Sequence, residues 1–282
     1  MKRFAIGAAL QAVNVAAAEV GGPRLLVIAG PCVIESAAMA LEIASHLKGA
    51  CAARDLPFVF KASYRKANRS SGRAFAGLPV GEALAALARV RREVQVPVLT
   101  DVHEVDEVAA AAEVADVLQI PAFLSRQTAL LEAAARTGRA VNVKKGQFLA
   151  PEDMAYAAEK LTAAGCERVL LTERGTTFGY HDLVVDMRAL VAMRELGWPV
   201  VYDATHVLQK PGGPETGGDR RFAFPLMRAA VACGVDGLFF ETHPDPAHAK
   251  SDAGTQLPLA QTEAFLDEAR RVRDAVSERA HA

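Results

Sequence analysis

One local pattern occurs eight times along the chain and limits the folds that are open to it. Each copy has a short apolar run rich in β-forming residues, a loop that carries polar residues, and an amphipathic helical stretch. The apolar runs are hydrophobic on both faces, which is typical of strands in a parallel sheet covered by helices. We predict strands at Leu25–Ala29, Phe58–Lys61, Val98–Asp101, Val117–Ile120, Val141–Lys144, Val169–Thr172, Val200–Asp203 and Gly237–Glu241.

The eight helical stretches alternate with these strands, and several begin with proline, a favoured first residue of a helix. Eight β/α units in 282 residues favour a closed (β/α)8 barrel, the TIM-barrel architecture, over an open doubly wound sheet. The open sheet is also disfavoured because Gly30-Pro31-Cys32, after the first strand, lacks the glycine fingerprint of a dinucleotide loop. The predicted helices are Ser36–Arg54, Val80–Glu93, Val105–Glu113, Arg126–Arg136, Pro151–Ala164, Leu183–Leu196, Pro225–Cys233 and Pro258–Ala275.

Length and composition fit a single domain over residues 1–282. A hydrophobic content of 51% supports a large core, and residues 1–20, before the break at Gly21-Gly22-Pro23, are predicted to form a short hairpin cap. The formal net charge of -1 gives no overall attraction for nucleic acid or an anionic membrane. No apolar stretch reaches the roughly 18 residues that span a bilayer, and the four cysteines are widely scattered, so we expect a cytoplasmic protein with reduced thiols.

Polar residues close the predicted strands, and in a barrel of this kind the active site lies at the carboxyl ends of the strands. Packing does not explain a ring of such residues, because burial of an unpaired charge is costly. The sequence therefore predicts a functional site at this mouth. The ring consists of Cys32, Lys61, Asp101, Gln119, Lys144, Glu173, Arg174, Asp203, His206, Glu241 and His243.

The cationic residues near the strand ends predict an anionic ligand. Lysine offers a point charge and arginine a bidentate fork, and together they suit phosphate and carboxylate groups. The segment Lys66–Gly72 adds hydroxyl groups and predicts a backbone nest for one phosphate, although basic, serine-rich loops also occur on ordinary solvated surfaces. The cationic set is Lys61, Lys66, Arg69, Arg126, Lys144 and Arg174.

A second set of residues predicts a metal site. In a closed barrel the first strand lies beside the eighth and the eighth beside the seventh, so Cys32, Glu241 and His206 can converge. Asp252, from the loop after the eighth strand, adds a second carboxylate. A thiolate, an imidazole and two carboxylates suit divalent zinc, iron, manganese or cobalt, and mixed ligands of this kind are typical of catalytic sites.

A glycine-rich stretch, Gln209–Arg221, follows the seventh strand. Its length and composition predict a mobile lid that excludes water while a reactive intermediate exists. A plain flexible linker is the alternative interpretation.

Five motifs together resemble the 3-deoxy-D-manno-octulosonate 8-phosphate synthase family, and the match extends from about Leu26 to Leu259. The resemblance implies condensation of phosphoenolpyruvate with D-arabinose 5-phosphate in the cytoplasmic pathway that supplies lipopolysaccharide with its inner sugar. It also implies a homotetramer of barrels. The motifs are Ala29-Gly30-Pro31-Cys32-Val33-Ile34-Glu35-Ser36, Phe60-Lys61-Ala62-Ser63, Lys66-Ala67-Asn68-Arg69-Ser70-Ser71, Asp203-Ala204-Thr205-His206 and Glu241-Thr242-His243-Pro244-Asp245-Pro246.

The resemblance also implies roles for individual residues. The phosphate and carboxylate of phosphoenolpyruvate would contact Lys66, Lys144 and Arg174, in a pocket also lined by Lys61, Asp101 and Gln119. Arabinose 5-phosphate would contact Asn68, Arg69 and Ser70, and Arg126 would assist at a phosphate. We take Lys61, Lys66, Asp101, Lys144 and His206 as the catalytic group.

Cys32 places the chain with the metal-dependent members of this family, which have cysteine in the first motif where other members have asparagine. Ser251–Gln256 agrees, since the other class typically has Cys-Asp-Gly-Pro at that place. Three features depart from the usual pattern: Tyr64-Arg65 replaces Phe-Asp, His181-Asp182 replaces Asn-Asn, and Lys210 follows Gln209.

Three other functions are weighed against this one. The related 3-deoxy-D-arabino-heptulosonate 7-phosphate synthases use erythrose 4-phosphate and usually have Lys-Pro-Arg-Thr where this chain has Lys66-Ala67-Asn68-Arg69. A metal-dependent amidohydrolase needs His-x-His at the first strand, where Gly30-Pro31-Cys32 stands. A catalytically silent sugar-phosphate-binding protein has no need of the metal set.

Overall fold

A closed sheet of eight parallel strands forms the centre of the molecule, whose computed structural model describes residues 1–7, 16–67, 75–212 and 217–279. Each strand pairs with the next in the chain, and the last pairs with both the seventh and the first, which closes the barrel. The predicted (β/α)8 fold is confirmed. The strands are β1 (Leu26–Gly30), β2 (Phe58–Lys61), β3 (Val98–Asp101), β4 (Val117–Ile120), β5 (Ala140–Lys144), β6 (Val169–Glu173), β7 (Val200–Asp203) and β8 (Gly237–His243).

Helices follow the strands and cover the outside of the barrel. Their buried faces form one apolar core with the outward-facing strand residues. The helices are α1 (Ala37–Ala52), α2 (Val80–Val94), α3 (Val108–Val114), α4 (Thr128–Arg136), α5 (Met154–Ala163), α6 (Met187–Glu195), α7 (Ala223–Ala232) and α8 (Thr262–Arg279).

Several predicted helix starts are wrong. Leu183–Val184 pairs with Thr176–Thr177 as a small antiparallel ribbon, so α6 begins only at Met187, where the side chain of Asp186 accepts a hydrogen bond from the Arg188 amide. Pro258 lies in a short strand beside β8, and Pro225 is the third residue of α7. The helical pattern alone does not reveal these changes, because they depend on strand pairing, with Thr176–Thr177 and with β8, and on which residue caps the helix.

The inside of the barrel has an apolar layer and a polar layer. Side chains alternate across a strand, so residues two positions apart point to the same face. The inward apolar residues include Val59, Leu99, Val117, Leu170, Val201 and Phe239. Two residues later, each of these strands carries an inward polar residue, namely Lys61, Asp101, Gln119, Thr172, Asp203 or Glu241. The polar layer therefore lies at the carboxyl ends of the strands.

A short hairpin closes the opposite end. Phe4–Ile6 pairs with Ala18–Val20, and Ile6 and Val20 pack against the inner apolar layer. The ammonium group of Lys2 lies 3.8 Å from the ring centroid of Trp198, which precedes β7. The predicted N-terminal cap is confirmed, and it leaves the carboxyl-end mouth as the opening of the barrel. None of the helices in the described ranges combines the length and apolar composition that crossing a bilayer requires.

Candidate active site

Three of the four predicted metal ligands form a compact cluster at the mouth. One donor atom each from Cys32, Glu241 and Asp252 lies within 4.8 Å of the others. The Cys32 Sγ is 3.2 Å from the Asp252 Oδ2. Barrel closure explains the convergence, because β1 and β8 are neighbours and Gly30 is in register with Glu241.

The fourth predicted ligand, His206, lies at the edge of this cluster. Its Nε2 is 3.6 Å from the Glu241 Oε1 and 3.9 Å from the Asp252 Oδ2. Its Nδ1 is 2.9 Å from the Asp203 Oδ2, and donation of a hydrogen bond there leaves the Nε2 lone pair directed at the cluster. Asp203 therefore orients the imidazole in the way that metal-binding histidines are usually oriented.

The cluster fits a divalent cation. The Glu241 Oε2 is buried and accepts no hydrogen bond from any described residue, so a ligand atom is available. Burial raises the pKa of the Cys32 thiol well above its usual value, and the charges of Asp252 and Glu241 raise it further. A cation would relieve this repulsion and favour the thiolate. A thiol, an imidazole and two carboxylates match the donor sets of zinc, iron, manganese and cobalt.

Local backbone features hold the ligands in place. A Cβ on Gly30 would collide with the carbonyl oxygen of Lys61, so only glycine lets the chain leading to Cys32 pass this close to β2. Asp252 adopts a left-handed conformation with φ 49°, which aspartate tolerates better than most residues. The Ser251 hydroxyl lies 2.8 Å from the Cys32 Sγ, and Gln256 accepts a hydrogen bond from the Cys32 amide.

Two of the predicted lysines form buried ion pairs beside the cluster. Lys61 Nζ donates to the Glu241 Oε1 at 2.6 Å and to the Cys32 carbonyl at 3.0 Å. Lys144 Nζ donates to the Asp203 Oδ2 at 2.7 Å and lies 3.9 Å from the ring centroid of Phe239. Both ammonium groups are thus held at the mouth by carboxylates of the predicted metal site. Glu241 is one of its predicted ligands, and Asp203 contacts another, His206.

Lys66 and Arg174 are less fully paired. Lys66 Nζ is 3.9 Å from the Glu241 Oε1, beyond hydrogen-bond distance. Burial lowers the pKa of Lys66, but the surrounding negative charges, among them Glu241 and Asp101, outweigh burial and raise it, so the side chain is cationic. Arg174 Nη2 donates to Gln209 Oε1 at 2.6 Å, whereas its buried Nη1 finds no hydrogen-bond partner among the described residues. These groups can accept an incoming anion.

A chain of buried hydrogen bonds crosses four neighbouring strands below the mouth. Gln119 donates through Nε2 to Asp101, Asn142 donates to Gln119 at 2.8 Å, and Thr172 donates to Asn142 at 2.6 Å. Burial opposes ionisation of Asp101, but the charges of Lys61 and Lys66 outweigh it and hold its pKa well below its usual value. This row of hydrogen bonds therefore begins at an ionised carboxylate, that of Asp101, and orients the side-chain amide of Gln119.

The structure brings most of the predicted site residues together. Cys32, Lys61, Lys66, Asp101, Gln119, Lys144, Arg174, His206, Glu241 and Asp252 all lie at the mouth. Asn68, Arg69 and Ser70 lie outside the described residues. Arg126 is exposed on the loop after β4, and its side chain makes no hydrogen bond or ion pair with any described residue.

Some site residues were missed. The sequence places Asp203 in the ring but does not identify it as the residue that orients His206. It indicates Ser251 only as part of the segment Ser251–Gln256, and it does not identify Asn142 or Thr172 as site residues. The two-residue period was the available signal for two of them. Asn142 precedes Lys144 by two positions, and Thr172 precedes Arg174 by two, so each pair shares a face.

The two ends of the glycine-rich stretch after β7 lie beside the mouth. Gln209–Lys210 pairs with Gly217–Gly218 as a short antiparallel ribbon, and residues 213–216 between them lie outside the described ranges. Gln209 contacts Arg174, which connects this stretch to the anion-binding side of the mouth. Its role as a lid stays a prediction.

Comparisons with known proteins agree with the geometry. The model of the DAHP synthetase I family matches residues 11–278. A 2-dehydro-3-deoxyphosphooctonate aldolase of Koribacter versatilis is 54% identical over 264 residues, covering 92% of this chain and 95% of the relative. Proteins of the same name from Acidithiobacillus ferrooxidans (55% identical, 85% of this chain and 86% of the relative) and Burkholderia mallei (52%, 90% and 93%) are similarly close. The chain therefore belongs to the DAHP synthetase I family and, within it, to the 2-dehydro-3-deoxyphosphooctonate aldolases, the synthases that its motifs resemble.

Proposed function

We propose that the protein condenses phosphoenolpyruvate with D-arabinose 5-phosphate and water, giving 3-deoxy-D-manno-octulosonate 8-phosphate and inorganic phosphate. The observation that carries the proposal is the buried Arg174 Nη1, a charged donor with no hydrogen-bond partner among the described residues. Lys66 lies at the same mouth, with its ammonium group 3.9 Å from the Glu241 Oε1. Cationic groups of this kind bind an anion with several oxygens. The names of the relatives at 52% to 55% identity support the choice of substrates.

The proposed reaction begins with the two substrates held in the mouth. Lys66, Lys144 and Arg174 bind the phosphate and carboxylate of phosphoenolpyruvate. The C3 carbon of phosphoenolpyruvate then attacks the aldehyde carbon of the sugar, and water adds at C2. The resulting hemiketal phosphate loses inorganic phosphate by cleavage of its C–O bond. The fixed cations stabilise the negative charge on phosphate and carboxylate throughout, at no cost of reorganisation.

The second substrate is assigned to the neighbouring loops. Asn68, Arg69 and Ser70 would hold arabinose 5-phosphate, and Arg126 would assist at a phosphate. Asp101 and Gln119, which the buried row of hydrogen bonds orients, would line the phosphoenolpyruvate pocket beside it. The aldehyde of the sugar would then lie between the cationic side chains that bind phosphoenolpyruvate and the carboxylate cluster.

We further propose that a divalent metal, zinc, iron, manganese or cobalt, is needed for this reaction. Cys32, His206, Glu241 and Asp252 would hold it, with Asp203 keeping the His206 ring in place. When bound, the cation supplies Lewis acidity that polarises the aldehyde or orients the attacking water.

Release of inorganic phosphate tests the reaction directly. We expect release from phosphoenolpyruvate with arabinose 5-phosphate and much less with erythrose 4-phosphate, the substrate of the related heptulosonate synthases. Binding of phosphoenolpyruvate in calorimetry without phosphate release, in metal-replete protein, would instead favour a silent sugar-phosphate-binding protein.

The requirement for metal is tested separately. Dialysis against a strong chelator should abolish activity, and adding the metal back should restore it. Full activity after dialysis would remove the metal from the proposal.

The remaining proposals concern the whole protein. We propose one domain, a cytoplasmic location, no nucleic-acid or membrane partner, and a homotetramer. Four free cysteines agree with a reducing compartment.

Aromatic side chains exposed on three consecutive loops at the mouth support self-association, because exposed aromatics are typical of interfaces. They are Phe123, Phe148, Phe178 and Tyr180. Light scattering after size exclusion tests the assembly, and a monomer at micromolar concentration would contradict it.

A further inference from the structure

Two residues immediately before Lys66 connect its loop to the turn that follows β3. The Tyr64 hydroxyl donates to Glu107 Oε2 at 2.6 Å. The guanidinium of Arg65 lies 2.6 Å from Glu107 Oε1 and donates to Glu104 Oε1 at 3.1 Å. Glu107 therefore contacts Tyr64 through one carboxylate oxygen and Arg65 through the other.

The hydrogen bond between Tyr64 and Glu107 is largely shielded from solvent. Tyr64 is buried, its ring meets that of His103 edge-on at 5.8 Å, and the side chain of Glu107 is 17% exposed. The His103 amide adds a hydrogen bond to Glu107 Oε2 at 3.3 Å. Burial raises the pKa of Glu107, but the Tyr64 hydrogen bond and the Arg65 charge outweigh it and lower the pKa. Glu107 is therefore an ionised group that holds both neighbours.

The same short segment also controls the direction of Lys66. The Lys66 amide donates to the Ala76 carbonyl at 2.7 Å, which ties the two ends of this loop together. The Lys66 side chain enters the mouth towards Glu241, whereas the Arg65 side chain leaves it towards Glu107. The two residues are neighbours in the chain, so a shift of the backbone at Arg65 also displaces Lys66.

We propose that Glu107 is a positioning residue that holds Tyr64 and Arg65 and thereby keeps the Lys66 ammonium group at the phosphoenolpyruvate site. The inference rests on the proposed function, which assigns phosphoenolpyruvate to Lys66. Glu107 touches neither substrate in this scheme. Its loss should weaken binding of phosphoenolpyruvate, because Lys66 then samples directions away from the mouth, and should leave the chemical step of the bound substrates largely intact.

The experiment compares Glu107→Ala and Tyr64→Phe with Glu104→Gln as the matched control. Glu104 also pairs with Arg65, but its side chain is 65% exposed, so its pair contributes little. For Glu107→Ala we expect the Kd of phosphoenolpyruvate in calorimetry, and its KM, to rise about tenfold with kcat within about twofold. Tyr64→Phe keeps the packing and removes one hydrogen bond, so a rise of about threefold is expected. Glu104→Gln should change both quantities less than about twofold.

Other results would overturn the proposal. A lower Tm for Glu107→Ala with unchanged Kd and KM would mean that Glu107 only stabilises the fold. An equal effect of Glu104→Gln would mean that loop charge, rather than the Glu107 contact, sets the affinity. If Glu107→Ala does not fold, Tyr64→Phe and Arg65→Lys are judged by the same Kd and KM criteria, with Arg65→Lys expected to retain part of the affinity. Absence of phosphate release by the unmodified enzyme would contradict the proposed function, while calorimetry would still decide the role of Glu107.

Discussion

Lys61 and Glu241 form a fully buried ion pair, with the Lys61 Nζ 2.6 Å from the Glu241 Oε1 and side-chain exposures of 1% and 0%. The two residues come from β2 and β8, on either side of β1. One of them belongs to the proposed phosphoenolpyruvate pocket and the other to the proposed metal site. The two halves of the mouth therefore meet at one carboxylate, that of Glu241.

Replacement of Lys61 by Met should destabilise the protein more without metal than with it. Without a cation, the variant leaves Glu241 buried with only more distant positive charges, and we expect a loss of about 3 kcal/mol in the free energy of unfolding. A bound divalent cation replaces the missing charge, so the loss should be smaller in metal-saturated protein. Urea unfolding with and without added metal measures both values, and Lys160→Met, on α5, is the control. An identical loss in both conditions would contradict the shared role of Glu241.

Replacement of Cys32 by Asn should separate metal binding from substrate binding. The variant removes the sulfur ligand but leaves Lys66, Lys144 and Arg174 unchanged. We expect metal content to fall at least about tenfold and the Kd of phosphoenolpyruvate to change by less than about threefold. Elemental analysis and calorimetry measure the two effects, and Cys233→Ser, at a partly exposed thiol, should alter neither. Equal loss of both would mean that Cys32 supports the structure of the mouth instead.

The ionised form of Asp101 should contribute to stability in a pH-dependent way. Lys61 and Lys66 outweigh burial and depress the pKa of this carboxyl in the folded state, relative to the usual value of 3.8. Because the pKa of Asp101 is lower in the folded protein than in the unfolded chain, the carboxylate contributes fully to the free energy of unfolding above the unfolded-state pKa. This contribution is lost as the pH falls from the unfolded-state pKa towards the folded-state pKa. The stability advantage of the wild type over Asp101→Asn should therefore shrink by about 1 kcal/mol per pH unit below about pH 4. Urea unfolding from about pH 6 to about pH 3 measures it. A constant difference over this range would contradict the assignment.

A buried ion pair at the other end of the barrel should affect stability alone. Asp116, which precedes β4, accepts from Arg91 at 2.9 Å and 3.1 Å and from the Val98 amide at 3.0 Å. Asp116→Ala leaves the Arg91 charge buried and unpaired, and we expect a loss of about 3 to 5 kcal/mol. Glu132→Gln breaks an exposed pair with Arg136 and should cost less than about 1 kcal/mol. Thermal unfolding measures both. A changed KM for phosphoenolpyruvate in Asp116→Ala would show that this end of the barrel influences the mouth.

The barrel itself could be predicted because its signal is local and repeated. The apolar strands and the eightfold alternation each reflect burial on two faces, and that requirement acts on every unit separately. The first residues of the helices could not be predicted from this repeated pattern, because the pattern does not specify where each helix begins. Leu183 and Pro258 follow local rules for helices, yet pairing with Thr177 and with β8 places both in short strands. Tertiary contacts outweigh local preference at such positions.

The candidate site was predictable in its members but not in its arrangement. Residue types and their positions after the strands identified Cys32, Glu241 and Asp252, because a barrel directs strand ends to one mouth. Asp203 and Asn142 show the limit, since their roles depend on the partner that each meets across the barrel. Cys32 and Asp252 are 220 residues apart in the chain, and only closure of the barrel brings the sulfur and the carboxylate to 3.2 Å. The sequence determined which charges and ligands must share an enclosed space, and the tertiary structure decided which of them pair, since pairing strength in a buried site depends on distances that only the folded chain sets.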